Sequence, residues 1–125
     1  MRRMIVALVA AALAPAAAAQ NVKIGVVTFL SGPAASPFGV PAKNAAELVA
    51  ESLNQGTAPK PYEKRGFGGA NLELVFVDEA GSTTTQVTEF RNLVQRANVD
   101  LVIGYVSSGN CLAIAPVAED RKSVV

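Results

Sequence analysis

Histidine is absent from the 125 residues, and cysteine occurs once, at Cys111. Without histidine, neither a Ser-His-Asp nor a Cys-His arrangement can be assembled from these residues, and a histidine-based zinc site is excluded with them. One cysteine forms no internal disulfide, so stability must come from a packed core. Charge is sparse at 17% of residues, with no basic cluster, which argues against nucleic acid and anionic membrane surfaces as partners. No P-loop is present. The glycine-rich Gly66-Phe67-Gly68-Gly69 precedes a predicted strand instead of following one, so it fails as a dinucleotide loop.

What is present is hydrophobic: half of all residues, enough for one domain with a core. Part of that belongs to the amino terminus. Met1 to Gln20 has a short basic start (Arg2, Arg3), an apolar stretch, and small residues at Ala17 and Ala19, the layout of a cleavable export signal cut after Ala19. A membrane anchor fits less well, because the run is alanine-rich, interrupted by Pro15 and short of a full span. Without Arg2 and Arg3, the eleven basic residues fall to nine against ten acidic ones, a net charge of −1.

The remainder reads as alternating strands and helices. Asn21 to Leu30 is almost continuously apolar, as in a strand covered on both faces. A turn at Ser31-Gly32-Pro33 leads to a helix carrying Ala42, Ala45, Ala46, Val49 and Leu53 at spacings of three and four, with Pro41 in its first turn and Gly56 at its end. A proline- and glycine-rich loop follows over 57–70. The second strand, Asn71 to Asp78, places Leu72, Leu74 and Phe76 on one face and Val75 and Val77 on the other. The second helix has a capping box at Thr83 and Gln86 and a stripe of Val87, Phe90, Val94 and Ala97. Asp100 to Val106 is the third strand, and a third helix over 107–122 is expected to kink or divide at Pro116. Ser123-Val124-Val125 opens a fourth strand. The repeated order predicts an α/β fold: a parallel sheet with helices on both faces, in an incomplete lobe over 20–125.

In such sheets ligands gather beyond the carboxyl ends of the strands. The three ends here are small, polar and glycine-containing: Ser31-Gly32-Pro33 running on to Phe38-Gly39, Asp78 to Ser82, and Ser107-Ser108-Gly109-Asn110. The last also starts a helix, where free N–H groups and the helix dipole favour an anion such as a carboxylate. Each feature has a plainer reading beside it. Ser107 or Ser108 as a helix N-cap, Phe38 in the core, Asp78 and Glu79 solvated or capping, and Cys111 as a buried inert thiol all stay open at this point.

Three stretches together, "VKIGVVTFLSGPAASPFG", "LELVFVDEAGSTTTQV" and "VDLVIGYVSSGNCLAIAPVAED", resemble the branched-chain amino acid binding proteins, the periplasmic type I solute-binding components of ABC importers. The resemblance implies two Rossmann-like lobes closing on a small solute, of which these residues supply part of the amino-terminal one. It implies a periplasmic, non-catalytic protein without cofactor or metal, whose partners are a carboxylate-bearing solute and an inner-membrane permease. Residue by residue, it matches Ser107 and Ser108 to the turn that meets the solute's carboxylate, and Phe38 to an aromatic near its side chain. Some members join the second-strand loop to the third-strand turn by a disulfide; Ala80-Gly81 offers no cysteine here. The rival readings are an extracellular sensor domain of a receptor and an exported α/β enzyme.

Overall fold

The computed structural model describes residues 20–120. The expected export signal at 1–19 and the fourth strand from Ser123 lie outside them. Three strands, β1 (Val22–Thr28), β2 (Leu72–Asp78) and β3 (Leu101–Gly104), form one parallel sheet in the order β2-β1-β3. The helices are α1 (Val40–Gln55), α2 (Thr83–Gln95) and α3 (Ser108–Asp120).

Alternation along the strands feeds two layers. Val27, Val75, Val77 and Val102 pack beneath α2 and α3 with Phe90, Leu93, Ile114 and Ala118, and this cluster is the core. Ile24, Leu72, Leu74 and Ile103 face the other way, toward Ala45, Ala46 and Val49 of α1. The helices therefore lie on both faces, as the β-α order predicts. The layers are unequal. In α1 only Ala50 is fully buried, Leu48 and Val49 stand largely exposed, and Ile103 is half exposed, so the stripe read from spacing is only partly covered. In α2 the buried set is Gln86, Phe90 and Leu93; Ala97 falls beyond the helix end.

Local chemistry fixes the element ends. Gly56 closes α1 in the left-handed conformation (φ 70°), and Asn54 binds both the N–H and the carbonyl of Leu72 (2.7 and 2.9 Å), tying the end of α1 to the start of β2. The cap of α2 is Ser82, whose hydroxyl accepts the Thr85 N–H (3.2 Å). The expected capping box is not formed: Gln86 is buried and donates to the carbonyls of Asp78 and Ala80. Pro116 does not divide α3, which runs unbroken from Ser108 to Asp120.

Candidate functional site

The loop after β1 leads to α1 on one face of the sheet and the loop after β3 leads to α3 on the other, so the chain leaves two adjacent strand ends in opposite directions. That is a topological switch point, where an open parallel sheet leaves a crevice beyond its carboxyl ends. The loops after β1 and β3 form its rim. Gly39 is buried where a Cβ would overlap the carbonyl of Phe29, so the helical turn Ala35–Gly39 is pressed onto the end of β1. Phe38 stands beside it, 58% exposed. It is a rim residue, so the alternative left open for it, a place in the core, does not hold.

The other side of the rim is the serine turn. At Gly104 (φ 145°) a Cβ would overlap the Val27 carbonyl, so the strand can leave β1 only through a glycine. Tyr105 then takes the left-handed conformation at φ 66°, uncommon for a large side chain, and buries its ring in the core. Burial, then the carboxylates of Glu79 and Glu89, push its hydroxyl up to about 12. Ser107 is half-buried and Ser108 exposed at the first position of α3. The Ser107 carbonyl accepts the Cys111 N–H (2.9 Å) and so starts the helical ladder. The N–H groups of Ser108, Gly109 and Asn110 have no intrahelical acceptor. The structure thus joins the two serines in one turn and puts Phe38 on the neighbouring strand end. Cys111, for which a buried inert thiol was the plainer reading, is exposed.

The adjacent carboxylates at the end of β2 hold both sides of this rim. Asp78 accepts the N–H groups of Leu30 (2.8 Å), Ser31 (3.3 Å) and Ala80 (3.0 Å) and the Ser31 hydroxyl (2.5 Å). Burial pulls its pKa upward, but the bonds from the Ser31 hydroxyl and the three N–H groups outweigh it and hold Asp78 below its ordinary value. Glu79 is fully buried and accepts the N–H groups of Val106 (2.8 Å) and Ser107 (2.7 Å) and the Asn110 side-chain amide (3.3 Å). Glu79 is therefore not solvated, whereas Asp78 stays near solvent, and neither caps α2, whose cap is Ser82. Their adjacency was visible in the sequence; their long-range partners, 27 to 48 residues away, were not.

Grooves exist elsewhere on the molecule. One of about 560 Å³ is lined by Glu47, Asn54, Arg65 and Phe76, and an apolar one of about 470 Å³ by Leu48, Val49, Pro59 and Tyr62. Both flank α1, and neither is lined by Ser107, Ser108 or Phe38. The rim is an open surface. Among the described residues no group of three or more metal-ligating side chains occurs, and no helix is long and apolar enough to cross a membrane.

A parallel lobe with a polar switch-point rim and a free helix N-terminus defines a class: the ligand-binding lobes of open α/β proteins. The periplasmic binding protein family matches residues 21–125, and the chain belongs to that family. Among solved structures, it is similar to the branched-chain amino acid transporter substrate binding protein LivJ of Streptococcus pneumoniae, in complex with isoleucine (25% identity, TM-score 0.69, 83% of this chain and 27% of that one). It is also similar to the leucine binding protein LivK of Thermotoga maritima (29% identity, TM-score 0.64, 81% and 25%). A third is an ABC transporter solute binding protein of R. palustris in complex with benzoate (26% identity, TM-score 0.66, 81% and 25%). The chain spans about a quarter of the length of each. No curated protein matches it. The family and these similar proteins are solute-binding proteins.

Proposed function

We propose that the chain forms part of the amino-terminal lobe of a periplasmic solute-binding protein, exported by a signal over 1–19, that delivers its solute to an ABC permease in the inner membrane. The solute is a small carboxylate with an apolar remainder, and a branched-chain amino acid is the preferred candidate. The carrying observation is the serine turn at the switch point: Ser107 and Ser108 bring two hydroxyls to the free N–H groups that open α3. Such groups suit a carboxylate, through charge-assisted hydrogen bonds and the helix dipole. Phe38, exposed across the rim, offers an apolar surface to the rest of the solute. The solutes of two similar proteins, isoleucine and benzoate, share this division into a carboxylate and an apolar part. The binding mechanism requires no reaction step: a second lobe closes on the solute, excludes water and strengthens these bonds.

The test is calorimetric titration of a two-lobed form of the protein with isoleucine, leucine, valine and benzoate. Replacing Ser107 and Ser108 by alanine should weaken binding by roughly tenfold to a hundredfold, as expected when hydrogen bonds to a charged group are lost. Equal affinity in the double variant would refute the assignment of these serines.

A further inference from the structure

Near the serine turn the most deeply buried ionisable group is Glu79, and no role in solute binding follows from its position in the sequence alone. Its side chain is 0% exposed, and no cation pairs with it among the described residues. A carboxylate withdrawn from water in this way is costly unless donors converge on it. Three do: the consecutive N–H groups of Val106 and Ser107, one on each carboxylate oxygen, and the Asn110 amide from the first turn of α3. The Glu79 N–H in turn binds the Thr28 carbonyl at the end of β1 (2.8 Å). One residue therefore couples the ends of all three strands to the start of the helix.

Two observations show what this coupling decides. Tyr105 immediately precedes the bonded pair and sits in the left-handed region, a conformation that persists only where its surroundings enforce it. Glu79 also divides the donors of the turn. The N–H groups of Val106 and Ser107 are committed to it, so a solute meets the serine hydroxyls and the N–H groups of Ser108, Gly109 and Asn110.

We infer that Glu79 is a positioning residue of the solute site: without touching the solute, its carboxylate sets the direction in which the serine turn and the first turn of α3 present their donors. The inference rests on the reading of that turn as the solute site. In a two-lobed form of the protein, Glu79→Gln keeps the shape but turns an amide donor toward donors. Isoleucine affinity should fall roughly tenfold or more. Hydrogen exchange should accelerate selectively at the Val106 and Ser107 amides. Leu93→Ala, a core variant on α2, is the control for stability alone. It should melt earlier but keep its isoleucine affinity. Unchanged affinity in Glu79→Gln, or an equal loss in Leu93→Ala, overturns the positioning role and leaves the solute reading standing. If the unaltered protein binds neither isoleucine nor benzoate, the solute reading falls and takes the positioning role with it. Should Glu79→Gln fail to fold, Glu79→Asp retains the charge but falls one methylene short of meeting both N–H groups. Unchanged isoleucine affinity in that variant overturns the proposal.

Discussion

At the end of β2 two carboxylates of the same charge diverge completely. The Glu79 side chain turns inward beneath the serine turn, while Asp78 stays near solvent and gathers the first residues of the loop after β1. The Asp78 bonds carry a pH signature. Because its folded pKa lies below the unfolded value, the stability it contributes is present above the ordinary 3.8 and is lost as pH falls through the folded value. Thermal melts of Asp78→Asn against the unaltered protein should differ most near neutral pH and converge in acid. A gap that persists undiminished at about pH 2 would assign the effect to shape instead of charge. Since Asp78 is only partly buried, solvent screening keeps the effect modest. In the sequence both residues were visible as an acidic pair, but an acidic pair at a strand end has no address until the loops from Leu30 and Val106 arrive beside it.

Among the elements, β3 and the turn behind it are the most constrained. Four residues of strand pair with β1, the last of them Gly104 at φ 145°, and the chain then passes through Tyr105 at φ 66° into α3. Gly104→Ala would combine an unfavourable backbone conformation with overlap on the Val27 carbonyl. It should destabilise the protein by about 2–4 kcal/mol, read from denaturant unfolding. A loss under about 0.5 kcal/mol would show that the turn relaxes freely. The strands, α2 and the glycine end of α1 were legible because burial and chain reversal leave periodic and compositional marks. The partner of Gln86 was not. Spacing from Thr83 suggested a capping box, yet the side chain is drawn inward to the carbonyls of Asp78, the last residue of β2, and Ala80, in the loop entering the helix. The stripe of α1 was legible too, but its coverage was not, since Val49 remains 57% exposed.

For the molecule as a whole, the chain spans about a quarter of the length of its similar proteins, and its candidate site is a rim, with Phe38 and Ser108 both exposed. On the two-lobed reading, one lobe supplies donors without the closure that excludes water from them. Titration of the 125-residue chain alone with leucine, isoleucine or valine should therefore give no measurable heat. Micromolar binding by this chain would mean that one lobe suffices.

The residue order by itself determined the class of fold and the end of the sheet at which polar groups collect. Buried parallel strands must be nearly continuous in apolar character, and the chain must reverse through small polar residues where they stop. Only the tertiary structure decided which of those groups stay exposed at the rim and which are spent inside. Hydrogen-bond partners are chosen by proximity in space, and Glu79 reached Val106 and Ser107 across the end of β1 because the sheet order placed them there.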